Sequence, residues 1–138
     1  MHGTLFVPAG VDCRAAVLLI GGSGGSEPLY VGEELASEGI AALSVAYFAR
    51  PGLPDQLRGI CLEYFVTALQ ILKDELASPC TRLAVLGISR GSEAANVDRD
   101  PLHRPRSWRG GDGSLECRGG KLAAGRPGLA AGGSAAAL

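Results

Sequence analysis

Gly87-Ile88-Ser89-Arg90-Gly91 forms a G-x-S-x-G motif. A serine in that pattern is a candidate nucleophile for acyl transfer. The chemistry needs its hydroxyl exposed on a sharp, strained turn from a strand into a helix. Glycines two positions before and two after leave room for the tight crossing and for close helix approach. The start of the following helix brings positive dipole near developing negative charge. The pattern alone is weak, and a plain strand-to-helix turn is the alternative. The flanks favour the nucleophile elbow: an apolar run at residues 83–86 leads in, and Ser92-Glu93-Ala94-Ala95, rich in small residues, leads out.

Acyl transfer also needs donors for an oxyanion. The glycine run Gly21-Gly22-Ser23-Gly24-Gly25 follows an earlier apolar strand and precedes a helix. In α/β-hydrolases such a loop gives one backbone N–H, and the residue after the nucleophile gives the other. Here these are Gly22 or Ser23, and Arg90. A structural turn and a nucleotide loop are the rival readings. Gly22-Ser23-Gly24 begins a G-x-G-x-x-G, but Glu27 holds its third glycine position and no acid ends the next strand, which closes Ala46-Tyr47. A Walker A Gly-Lys-Ser/Thr is absent as well.

A serine also needs a base within hydrogen-bond reach. The acids after Ser89 are Glu93, Asp98, Asp100, Asp112 and Glu116, and the only following histidine is His103, 14 residues on. That interval leaves no room for the further strands whose loops present acid and base. His2 precedes the serine, the wrong order for this fold. With no C-x-x-C and only these two histidines, metal-ligand spacing is absent. Of the cysteines, Cys61 falls on an apolar helical stripe and reads as core. Cys13 and Cys80 flank strands, and Cys117 lies in the tail.

The elements that must position these residues occupy 1–97. Residues 3–7, 14–20, 40–47 and 82–86 read as strands, and residues 28–38, 55–77 and 92–97 as helices. Strand and helix alternate, which predicts an α/β fold with a parallel sheet and right-handed crossover helices. Residues 98–138 differ in kind. They contain no Val, Ile, Phe or Tyr, hold 9 of the 21 glycines, and carry 7 basic and 4 acidic residues. This Gly/Ala/Arg-rich tail is expected to be disordered, because it cannot bury enough apolar area to offset ordering entropy. The abrupt switch suggests an alternative ending on a truncated domain.

The whole chain is 138 residues, 46% apolar, with 13 basic and 14 acidic residues and a net charge of −1. That is one modest domain, with no electrostatic case for nucleic acid. The longest apolar stretch, residues 15–20, is too short to span a bilayer. The opening MHGTLFVP lacks the basic and apolar regions of a secretory signal. A cytoplasmic chain with reduced thiols is therefore expected.

The stretches GTLFVPAG, AAVLLIGGSGGSEPLY, LASEGIAALSVAYFARPGLP, LEYFVTALQILKDE and LAVLGISRGSEAA occur in order across about two-thirds of the chain. Together they resemble the acyl-coenzyme A thioesterase / bile acid-CoA:amino acid N-acyltransferase family, in its C-terminal α/β-hydrolase domain. The resemblance implies the front half of that fold and hydrolysis of fatty acyl-CoA to free fatty acid and CoA, through an acyl-enzyme on Ser89. Serine, not cysteine, at this position looks like the hydrolase branch. No metal or organic cofactor is implied, since CoA belongs to the substrate. Family members place their acid and histidine beyond the point where the resemblance stops, so the chain alone is expected to be inactive. The alternative is a non-catalytic fragment that binds a partner or an acyl ligand. An incomplete sheet also leaves an unpaired strand edge, which invites self-association.

Overall fold

The computed structural model describes residues 1–10, 13–76, 82–97 and 135–137. In chain order these form β1 (His2–Phe6), β2 (Ala15–Ile20), α1 (Leu29–Ser37), β3 (Ile40–Ala46), α2 (Leu62–Glu75), β4 (Leu83–Gly87), α3 (Arg90–Val97) and β5 (Ala135–Ala137). The strands make one sheet in the order β4-β2-β3-β1-β5. The α/β architecture expected from the sequence is present.

β2, β3 and β4 run parallel, with Ala15 opposite Ile40 and Ala16 opposite Leu83. Each parallel step is spanned by a helix, as parallel neighbours require. α1 connects β2 to β3 on one face, where Val31, Leu35 and Ala36 cover Phe6, Leu19 and Ala42. α2 connects β3 to β4 on the other face. Its buried stripe of Leu62, Tyr64, Phe65, Ala68 and Leu72 packs with Leu18, Ile20, Leu43 and Val45. Leu18, Leu43 and Leu72 are fully buried, each contributing about 1.5–3 kcal/mol of burial free energy.

Four features differ from the sequence reading. The sheet is mixed, because β1 pairs antiparallel with β3, His2 facing Ala46. Only eight residues separate Phe6 from Ala15, too few for the crossover that a parallel strand requires. The second helix begins at Leu62, not at residue 55. Gly59 has φ +66° and Cys61 is extended at ψ 126°, so the preceding segment loops, although Ile60 still enters the core. Cys61 is accordingly the half-buried residue before the helix rather than part of its stripe, and both Cys13 and Cys61 are disulfide-bonded, not reduced. Finally, Ala135–Ala137 pair antiparallel with β1 where no element was expected, on an edge that offers unpaired backbone groups. The rest of the tail, 98–134 and 138, lies outside the described residues.

Candidate active site

The site forms where two neighbouring strands send their chains to opposite faces. After β2 the chain leads to α1 on one face. After β4 it leads to α3, whose Ala94 packs into the core on the α2 face. Such a divergence opens a crevice at the C-terminal ends of the two strands. The glycine run occupies one side of it and Ser89 the other.

Ser89 sits between β4 and α3 with φ +54°, the left-handed region that non-glycine residues rarely occupy. The ladder continues one step past β4, where the Ile88 N–H donates to the Ile20 carbonyl at 2.9 Å. The chain then reverses. Gly91 N–H donates to the Ile88 carbonyl and Ser92 N–H to the Ser89 carbonyl, each at 2.9 Å. The Ser92 hydroxyl donates to that same Ser89 carbonyl. Ser89 is left exposed at the apex.

The glycines make this crossing possible. A Cβ at Gly91 would press on the carbonyl oxygens of Ile20 and Gly21, the latter at 2.5 Å. A Cβ at Gly87 would overlap the backbone of Gly91 and Ser92. Gly22 faces the serine: a Cβ there would lie 3.1 Å from Ser89 Cβ and 3.6 Å from its Oγ. Residues 22–25 form a tight turn closed by the Gly25 N–H on the Gly22 carbonyl at 3.3 Å. Ser23 is exposed within it.

Ser89, Arg90, Gly22, Ser23, Gly87 and Gly91 therefore share one crevice. Arg90 opens α3, where backbone N–H groups have no partner within the helix. Its guanidinium turns outward to Glu93 at 3.0 Å. His2 is elsewhere. Its Nε2 lies 2.8 Å from the Pro51 carbonyl, on a strand three positions from β4, roughly 14 Å away at ordinary strand spacing. His103, Asp98, Asp100, Asp112 and Glu116 lie outside the described residues. Glu27, in the loop after β2, accepts from Thr4 Oγ1 at 3.0 Å. A carboxylate just before α1 opposes phosphate binding there.

Two aromatic residues that the sequence reading did not single out complete the crevice. Tyr47, just past β3, donates its hydroxyl to the Gly21 carbonyl at 2.8 Å. Burial pushes its phenol pKa up, and the nearby Glu93 charge adds to the rise. Phe48 lies under Gly25, where a Cβ would meet its ring at 3.1 Å. A strand ending in aromatics beside a glycine loop was the available signal. Tyr47 also helps line a small apolar dimple of about 10 Å³, together with Leu57, Ile60, Phe65, Arg90 and Ala94. Among the described residues, no cluster of three or more His, Cys, Asp or Glu could hold a metal ion. No helix among them is long and apolar enough to cross a membrane.

The described residues thus form an α/β sheet with an exposed serine on a left-handed turn facing a glycine loop. No family model matches the chain. Individual relatives do match. The chain is 32% identical over 93 residues to mouse acyl-coenzyme A amino acid N-acyltransferase 1, covering 67% of this chain and 22% of the relative. It is 31% identical over 93 residues to human acyl-coenzyme A thioesterase 1, with the same coverage. It is likewise 31% identical over 93 residues to the human mitochondrial acyl-coenzyme A thioesterase 2, covering 67% of this chain and 19% of the relative. Through this region the chain belongs to the acyl-coenzyme A thioesterase / bile acid-CoA:amino acid N-acyltransferase family. It spans about a fifth of the length of these curated relatives.

Proposed function

We propose that residues 1–97 are the front half of an α/β-hydrolase domain and that Ser89 is the nucleophile of an acyl-CoA thioester hydrolase. The observation that carries this reading is Ser89 at φ +54° directly across from Gly22. In the reaction the Ser89 Oγ attacks the thioester carbonyl and its proton passes to a base. The carbonyl oxygen becomes an oxyanion held by the backbone N–H of Arg90 and of Gly22 or Ser23. Collapse expels CoA as its thiol and leaves the acyl-enzyme, and water then releases the fatty acid. Among the described residues no histidine stands beside Ser89; with no base the first step is slow, and the chain alone turns over poorly.

The test is hydrolysis of fatty acyl-CoA by the purified chain, followed as free thiol and compared with Ser89→Ala. Release lost in the variant supports the nucleophile and points to a base, with His103 the next residue to change. Release unaffected by Ser89→Ala overturns it. No release from a chain that is folded by circular dichroism identifies a non-catalytic fragment.

Two further properties go with this reading. Leu83 and Leu86 on β4 are about 40% and 43% exposed, and the strand Leu83–Gly87 contains no charge or proline to discourage pairing. Self-association through this edge is expected, with Leu86→Lys lowering the associated fraction in sedimentation. The disulfide-bonded Cys13 and Cys61 count against the cytoplasmic location expected from the sequence. Thiol titration of freshly isolated protein tests this: both thiols found reduced would restore the cytoplasmic reading.

A further inference from the structure

Among the described residues, the Tyr47 hydroxyl ties a side chain to the glycine loop beside Ser89. It donates to the Gly21 carbonyl at 2.8 Å, and the Gly22 carbonyl lies at 3.5 Å. The ring behind it is 5% exposed and packs edge-on against Phe48 at 5.2 Å and Phe65 at 5.4 Å. Its hydroxyl is thus a fixed point. The loop is the opposite: Gly21, Gly22, Gly24 and Gly25 place few steric limits on their own backbone.

We infer that Tyr47 is the positioning residue of the oxyanion loop, fixing through the Gly21 carbonyl the direction in which the Gly22 and Ser23 amides are offered. A trans peptide is planar, with its C=O and N–H pointing opposite ways. Holding the Gly21 carbonyl toward Tyr47 therefore turns the Gly22 N–H away from it. Drawing the Gly22 carbonyl to the same side does the same for the Ser23 N–H. Were the Gly21–Gly22 peptide to rotate, a carbonyl would replace an amide donor and would repel a developing oxyanion. The Gly21 oxygen also lies against Gly91, so the tether and the start of α3 limit the same peptide from two sides. Phe48, under Gly25, supports the far end of the turn. Burial and the Glu93 charge keep the Tyr47 phenol protonated at neutral pH, so it acts as a donor. The inference rests on the hydrolase reading of Ser89 for its catalytic meaning, but the tether can be measured without it.

The experiment compares the full chain with Tyr47→Phe, which keeps the ring and removes only the hydroxyl. Circular dichroism establishes that the variant is folded. Backbone 15N relaxation then reads the loop. Gly22 and Ser23 are expected to fall from rigid order parameters near 0.85 toward 0.6, while Leu18 and Leu43 in the core do not change. In the acyl-CoA assay the variant is expected to lose about tenfold in kcat with KM within twofold, because an oxyanion exists only beyond the ground state. Unchanged order at Gly22 and Ser23 overturns the inference. So does equal loosening through β2 and β3, or a KM that rises as much as kcat falls. Where the wild-type chain turns over nothing, the order parameters alone decide the tether.

Discussion

Replacing Ser89 by glycine should stabilise the fold, whereas replacing it by alanine should not. The reason is the backbone. At φ +54° an L-residue brings its Cβ too close to the following carbonyl, at a cost of about 1–2 kcal/mol. Glycine has no Cβ and removes that cost. Against this, glycine loses more chain entropy on folding, about 0.5–1 kcal/mol in regular elements and at the low end in a turn. The balance favours Ser89→Gly over Ser89→Ala by about 1 kcal/mol. That is the reverse of the usual order, in which glycine is the less stable of the two. Other contributions nearly cancel. Ser89 is exposed, so neither variant loses buried area, and the Ser92 hydroxyl bonds a main-chain carbonyl that both variants keep. For a domain of this size the difference corresponds to a Tm gap of roughly 4–8 °C. Urea and thermal unfolding of the two variants beside wild type would measure it. An alanine variant as stable as the glycine variant would refute the strained turn, and with it the main support for Ser89 as a nucleophile held ready by the backbone.

The same crossing makes Gly91→Ala costly. The new Cβ would meet the Gly21 oxygen at 2.5 Å and the Ile20 oxygen closer still, so α3 must withdraw from β2 by about 1 Å. Overpacking of that kind costs about 1–3 kcal/mol, and the helix propensity gained from alanine returns about 1 at most. A net loss of about 1 kcal/mol in urea unfolding is expected, and a gain in stability would mean the helix does not lie this close. At high pH, Tyr47 and Tyr64 act together. Burial is the chief cause of the raised pKa of each, so the fold favours their neutral phenols. Stability should hold up to about pH 10, where an unfolded tyrosine ionises, and fall as pH rises further through the raised folded values. Tyrosinate absorbance for these two rings should therefore appear with the loss of circular dichroism, and ionisation well before unfolding would contradict their burial.

Much of the architecture could be read from hydrophobic runs, because strands buried on both faces leave continuous apolar segments. β2 and β3 are of this kind, and their boundaries fall within a residue or two of expectation. The direction of β1 was not carried by its pattern, since an apolar run looks the same in either direction. The eight-residue gap to β2 was the signal, and it is a matter of chain reach, not of composition. The start of α2 was missed for a different reason. Leu57 and Ile60 pack against the core at near-helical spacing, but they do so from a loop broken at Gly59. In the site, the glycines and Ser89 were legible because each meets a backbone constraint that few residue types satisfy. Tyr47 was not, because its part depends on a hydrogen bond across 26 residues that only the sheet order brings together.

That contrast bears on what this chain contains. Apart from the Ser92 hydroxyl on its carbonyl, the features that hold Ser89 are made of backbone: the left-handed turn, the close glycines at 87 and 91, the ladder bond from Ile88 to Ile20, and the loop at Gly22. All of them arise from β2, β4 and α3, which are neighbours in the sheet. A serine can thus be held in its strained position without any acid or histidine. Activation is separate, since a general base is a side chain that must come from another element. The strain at Ser89 and the rate of thiol release are therefore independent observables. A stability gain in Ser89→Gly with no turnover in wild type would describe a nucleophile elbow without a base, whereas turnover without the gain would require the serine to be activated in some other geometry.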